Sequence, residues 1–195
     1  MLKLNKLINE LCPNGVEYKK LCDVTEMKRG TSEIKKDLQS GNIPVISGGK
    51  KSAFYCNKNN RDGETITVAG NGAGAGYVQY WDILVFINDA FSVKGNEKLM
   101  TKYIFYFLSG IQDKIYSTKK GGGIPHVHIS SIENFLIPVP PIEIQREIAT
   151  RFYRGSGIKR DEVTENGTSC IRYDEIYTTY GVHFDKCYHT PMKII

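Results

Sequence analysis

The sequence predicts an α+β fold, with strands and helices mixed but without the strand–helix–strand alternation of a parallel α/β protein. Three observations predict it. Between Ile43 and Val93, short runs of β-branched and aromatic residues (IPVIS, SAFYC, TITVA, YVQY and ILVFI) are separated by Gly, Asn and Asp. Met100, Ile104, Phe107, Leu108, Ile111 and Ile115 then recur at helical spacing. A second amphipathic helix opens at Pro141.

Each element follows from its residues. Leu4, Leu7, Ile8 and Leu11 space an N-terminal helix that Pro13-Asn14-Gly15 ends. Asp62-Gly63 is a turn signal between two of the strand runs. Gly121-Gly122-Gly123 breaks the chain away from the helix of residues 100–115, and Phe135–Val139 is a last strand-like run before Pro140-Pro141. Proline suits a first helical turn because its missing N–H would have had no partner there. Ile144, Ile148 and Phe152 line one face of the helix that follows. Glu143 with Arg146, and Glu147 with Arg151, can pair elsewhere on it, and Gly155 supplies a stop. So short a helix needs something to pack against.

A long-range repeat organises the chain. RGTSEIKKDLQSGNIPVI starts at Arg29 and RGSGIKRDEVTENGTSCI at Arg154. Both run through Arg-Gly, small polar residues, Ile, two basic residues, Asp and a glycine turn to an apolar end. The offset is too long for a solenoid unit and implies two tandem domains of one kind, the second of which stops early.

Bulk properties exclude several classes. With 41% hydrophobic and 24% charged residues the 195-residue chain is not compositionally disordered. No apolar run reaches the roughly 18 residues of a membrane span, and the N-terminus is too interrupted for a secretory signal, so the expected location is cytoplasmic. Five scattered cysteines without a C-x-x-C pair give no zinc or disulfide framework. A net charge of +5 is compatible with a polyanionic partner.

Candidate chemistry is sparse. Gly70, Gly72, Gly74 and Gly76 follow a strand, and Gly70-x-Gly72-x-x-Ala75 loosely fits a dinucleotide fingerprint. That motif needs a following helix to hold the pyrophosphate, whereas β-branched and aromatic residues follow here; a glycine-rich hairpin is the stronger reading. Neither SGGKKS (47–52) nor KKGGG (119–123) has P-loop spacing. His126-Val127-His128 would put two imidazoles on one strand face without a third metal ligand, and Asn88-Asp89 reads as a turn as readily as a catalytic carboxylate. No catalytic or metal-ligating residue is assigned, and no cofactor. What remains is a set of basic loops, namely Lys28 and Arg29, Lys35 and Lys36, Lys50 and Lys51, Lys58 with Arg61, and Lys119 and Lys120. Lys and Arg meet phosphates, while glycines let backbone approach them. Such loops form a DNA footprint only if the fold brings them to one face.

In order, ELCPNGVEYKKL (10–21), PVISGG (44–49), VAGNGAGAGYV (68–78), FINDAFSV (86–93), STKKGGGIPHV and above all IPVPPIEIQREIA (137–149) resemble a specificity (S) subunit of type I restriction–modification enzymes. Residues 158–181 also look like the opening of a target-recognition domain of that family. The resemblance implies two recognition domains that each read half of a split site on double-stranded DNA. Long helices after each domain act as spacer and dock type I methyltransferase (modification) subunits, to which restriction subunits are added. The modification subunits, not the S subunit, carry S-adenosylmethionine and methylate adenine.

On this plan residues 1–12 are an N-terminal helix and 13–140 a DNA target-recognition domain with a mixed β-sheet and packed helices. Residues 141–153 are a shortened connector helix, and 154–195 the truncated start of a second recognition domain. Roughly 12 helical residues span about 18 Å, short of the about 34 Å that separates readers one DNA turn apart. The expectation is therefore a half-subunit or recombined form, with Ile144, Ile148 and Phe152 as the docking or self-association seam. The competing readings are an inactive silent-cassette product, an interaction adaptor without DNA affinity, and a nucleotide or S-adenosylmethionine enzyme using Gly70–Gly76.

Overall fold

The computed structural model describes residues 2–154, 168–170 and 188–190. They divide between a unit formed by Lys19–Ile137 and a second unit that combines Met1–Tyr18 with residues from Pro138 onward. The strands are β1 (Tyr18–Lys20), β2 (Thr25–Arg29), β3 (Ile43–Ile46), β4 (Phe54–Cys56), β5 (Thr65–Ala69), β6 (Val78–Trp81), β7 (Phe86–Ile87), β8 (Ala90–Gly95), β9 (Leu136–Pro138), β10 (Thr168–Cys170) and β11 (Tyr188–Thr190). The helices are α1 (Leu2–Leu11), α2 (Leu21–Val24), α3 (Thr101–Gly110), α4 (Gln112–Ser117), α5 (Ile129–Ile132) and α6 (Ile142–Arg154). The mixed α+β expectation holds.

The main sheet of the Lys19–Ile137 unit has the order β2-β8-β5-β6, all antiparallel. All five residues of β5 are buried, because it lies between two strands and α3 packs against it. Its run of β-branched residues suits that two-sided burial. The buried Thr67 hydroxyl accepts a 2.9 Å bond from the Trp81 indole N–H. β2 is an edge strand whose sequence, TEMKR, keeps charged side chains at the rim, as edges that avoid further pairing do.

A smaller mixed sheet, β4-β3-β7, pairs β3 antiparallel to β4 and parallel to β7. Its core joins Leu38, Val45, Cys56 and Phe86. Ile46, Val85 and Ile87 form a second cluster with Ala90 of β8, on which Trp81 packs, and this ties the two sheets together. Asn60 fixes the register of the short strand β7. Its carboxamide oxygen accepts the Ile87 N–H at 2.7 Å, and its nitrogen donates to the Ile87 carbonyl at 2.8 Å. One side chain thus satisfies both backbone groups of a residue that a longer partner strand would otherwise have paired.

Two expectations are corrected. The apolar stripe of residues 100–115 is not one helix: α3 ends at Gly110, and Ile111 leaves helical geometry at φ −104°, ψ 25° before α4 begins. The cause is tertiary. The Gln112 carboxamide donates to the Gly76 carbonyl at 2.8 Å and accepts the Val78 N–H at 3.1 Å, which draws the start of α4 onto the β5–β6 hairpin. His126 and His128 lie in a loop leading into α5 rather than on a strand.

In the other unit, α1 packs against α6. Ile144, Gln145, Ile148 and Ala149 of α6 are buried, as is Leu4 of α1. The Pro141 carbonyl accepts the N–H groups of Ile144 and Gln145, and Gln145 turns its side-chain amide back to the Pro140 carbonyl at 2.8 Å. The double proline thus starts the helix as expected, while its apolar stripe is consumed by a neighbour in the same chain. β10 and β11 pair antiparallel. The second-domain reading of residues 154–195 otherwise lies outside the described residues, as does the side chain of Phe152.

Replacing Ile148, which is 1% exposed, with Asp buries a carboxylate in place of an apolar side chain, at a cost on the order of 3 kcal/mol. Hydrogen exchange is expected to show lost protection in α1 and α6 while amides of β5 and β8 stay protected. Uniform loss in all four elements would contradict this.

Candidate nucleic-acid interface

The connection between β5 and β6 organises the site. Val68 pairs with Val78 and Ile66 with Tyr80. The chain therefore leaves Ala69, turns through four glycines and returns as a strand. No helix follows the glycines, so the N-terminus that a dinucleotide fingerprint requires is not in place. Gly72 and Gly76 take φ of +75° and +82°, where a side chain would be strained.

This hairpin holds two other loops by direct backbone approach. A Cβ on Gly48 would collide with the Asn71 carbonyl and side-chain oxygens, and one on Gly74 would stand 2.5 Å from the Gly48 carbonyl oxygen. On the opposite side the Val127 N–H donates to the Gly70 carbonyl at 2.9 Å, and Asn71 forms a backbone bridge with His126. His126 and Lys120 exchange two bonds, at 2.7 and 3.0 Å, which close the GGGIP loop. The segments around residues 48, 71 and 126 pack into one cluster, the last two joined by hydrogen bonds.

That cluster gathers the basic residues at its edges. Lys50 is exposed, with its Nζ 5.2 Å from the Tyr77 ring centre, and Gln79 holds its carbonyl at 2.8 Å. The Lys119 Nζ stands 4.2 Å from the Tyr116 ring. Gly76 lies against Tyr116, so the two lysine–tyrosine stacks share one flank of the hairpin. Burial, with Tyr77 and Asp113 nearby, raises the Tyr116 hydroxyl above the ordinary tyrosine range, leaving it a neutral donor at pH 7. Lys51 and Lys120 are the exposed neighbours of these residues.

The remaining predicted cations form a second group. Lys28 and Arg29 end the edge strand β2, with Lys28 2.6 Å from Glu26. Lys35 lies over Phe54 at 5.6 Å, beside exposed Lys36. Lys58 pairs with Glu33 at 2.6 Å and lies over Phe86. Arg61 differs from the rest. Its guanidinium donates to Ser92 Oγ at 2.8 Å, to the Asn60 carbonyl at 2.6 Å and to the Arg29 carbonyl at 2.8 Å. Burial pulls its pKa below the ordinary arginine range, with Glu26 acting the other way. Arg61 holds β2 and β8 together from inside and has few donors left for a phosphate.

Between the two groups lies an open cleft of about 270 Å³, lined by Arg29, Asn71, Asn88, Asp89, His126 and His128 among others. Asn88 is spent on structure, exchanging two 2.9 Å bonds with the backbone of Glu33. Asp89 Oδ2 accepts the Ser47 hydroxyl at 3.0 Å. The two imidazoles stack with centres 5.9 Å apart and planes 9° apart. Among the described residues no group of three or more His, Cys, Asp or Glu side chains could hold a metal ion. Sequence reasoning missed Ser47, Asn71 and Gln112, whose partners lie 34 to 55 residues away with no periodic signal to link them.

Residues 13–155 match the family described as the type I restriction modification DNA specificity domain. The chain belongs to this family. A 47-residue stretch is 47% identical to the type I restriction enzyme MjaVIII specificity subunit of Methanocaldococcus jannaschii, covering 24% of this chain and 11% of that protein. The fold is similar to that of the type I restriction–modification S subunit from M. genitalium, with a TM-score of 0.63 at 22% identity over 72% of this chain and 39% of that one. It is also similar to the HsdS subunit from Thermoanaerobacter tengcongensis, with a TM-score of 0.55 at 16% identity over 78% of this chain and 42% of that one. This specificity-domain chain thus spans well under half the length of the relatives it matches.

Gly48→Ala tests the backbone junction of the specificity domain. The added methyl must push the SGGKK loop off Asn71, which is expected to cost about 1–3 kcal/mol in chemical denaturation. An unchanged midpoint would mean the loops do not interlock.

Proposed function

We propose that this specificity domain recognises double-stranded DNA within a type I restriction–modification assembly, contributing sequence recognition rather than chemistry. The observation that carries the reading is the convergence of the 48–51, 70–77 and 119–128 segments. It sets Lys50, Lys51, Lys119 and Lys120 around one glycine hairpin. In this reading these lysines contact phosphates and release condensed counterions. Lys28, Arg29, Lys35, Lys36 and Lys58 form the second bank of the footprint. Exposed pairs such as Lys28 with Glu26 contribute little to stability, so either lysine can exchange its carboxylate for a phosphate. Arg61 serves as the internal brace of that bank.

The same proposal assigns docking of modification subunits to the helix pair α1–α6. Because Ile144 and Ile148 already face the chain's own interior, a partner or second copy would meet the outer face of this pair, with Phe152 continuing the stripe in sequence. Co-expression pulldown with a modification subunit and mapping of methylated sites test the assembly directly.

For DNA binding, Lys50, Lys51, Lys119 and Lys120 are replaced together by Ala, and duplex affinity is followed by fluorescence anisotropy across a salt series. Four lost phosphate contacts would flatten the slope of log K against log salt by about 3.6 units. An unaltered slope, or tight binding of S-adenosylmethionine or nucleotide by the chain alone, would overturn the proposal.

A further inference from the structure

We propose that the cleft between the two basic banks is the base-reading site, and that Asp89 is its acceptor, taking a hydrogen bond from an exocyclic amino group of cytosine or adenine. The inference rests on the DNA-recognition reading above and goes beyond it by separating residues that grip the backbone from residues that discriminate sequence.

Three features of Asp89 carry the argument. It sits in the turn between β7 and β8, two well-buried strands, so its position is fixed by the sheet framework. Its backbone is held as well, because the Asp89 carbonyl accepts the Gly70 N–H at 2.9 Å. Asp89 is half-buried, and Ser47 donates to Oδ2 at 3.0 Å, while among the described residues no cation pairs with its carboxylate and Oδ1 has no hydrogen-bond partner. A carboxylate oxygen that faces an open cleft and is not paired with the Arg29 beside it stays available to a ligand donor.

The cleft's surroundings select the donor. A carboxylate repels phosphate, so it contributes nothing to backbone grip, but it is the natural acceptor for the amino group of cytosine, and adenine displays a comparable donor in the major groove. Arg29, the member of the second bank that reaches this cleft and so can serve either role, lines it with Asn71, and neither side chain has a hydrogen-bond partner among the described residues. Arginine donates to guanine N7 and O6, and asparagine bonds adenine N6 and N7 on its major-groove edge, so the cleft holds the side-chain types that discriminate base pairs. The lysines stand outside it. Phosphate contacts fix register and carry no sequence information, which fits this division of labour.

Asp89→Asn tests the inference, because the amide keeps an oxygen for Ser47 while presenting a donor where the carboxylate accepted. The purified chain, wild type and variant, is equilibrated with a randomised duplex pool, and retained sequences are compared at matched occupancy. The variant is expected to lose at least about tenfold discrimination at one position of the preferred sequence, with its salt slope and melting temperature unchanged. Should that variant melt early, Asp89→Glu, which retains the charge but moves it outward, is expected to give the same positional loss. An unchanged preference, or an equal loss of affinity on every sequence, overturns the assignment while leaving DNA recognition intact. If the wild-type chain retains no duplex, the functional reading falls as well.

Discussion

Backbone-to-backbone contact at glycine is the constraint on which the candidate interface depends. Gly48 lies against Asn71, Gly74 lies against the Gly48 carbonyl, and Gly76 lies beneath Ile115, Tyr116 and Val127. Backbone meets backbone in both of the first two contacts, with the Asn71 side-chain oxygen added at Gly48, so the SGGKK loop is held close against the hairpin. Hydrogen bonds from Val127 to Gly70, and from Gln112 to Gly76 and Val78, complete the lock. The hairpin therefore acts as a splice that converts three remote segments of sequence into one surface.

Charge on that surface is sorted by burial. Arg61 spends three donors on Ser92, Asn60 and Arg29, whereas the lysines place their ammonium groups over Tyr77, Tyr116, Phe54 and Phe86. Aromatic rings support the aliphatic stems and attract the cation without neutralising it. The rings thus orient the charges without cancelling them, and of these lysines Lys58 also meets a carboxylate, that of Glu33.

Much of the framework was legible in the sequence, and the exceptions have physical causes. β3, β4, β5 and β6 were marked by β-branched runs between turn residues. β8, with Ala90, Phe91, Ser92 and Val93 all buried, shows no alternation because both its faces are covered. β2 reads as a polar loop since an exposed edge tolerates Glu26, Lys28 and Arg29. The break at Ile111 preserves helical spacing on either side, so periodicity alone could not find it. For the site, the basic loops were visible as composition, but their juxtaposition was not. Asn60 and Asp89 gain meaning only from partners such as Ile87 and Ser47, which are distant in sequence.

Gly122 and Gly123 face open space: a methyl added at either would touch nothing within 4 Å. The arm they form is anchored at its base by the Lys120–His126 bridge, so its apex is free to change in length and composition. Loop closure grows only by about 0.6 kcal/mol for each doubling of length. Insertions there would be nearly neutral for folding, yet would alter how far Ile124 and its neighbours reach from the body. The domain thus carries a segment whose length and composition can vary while the packing of the core is undisturbed.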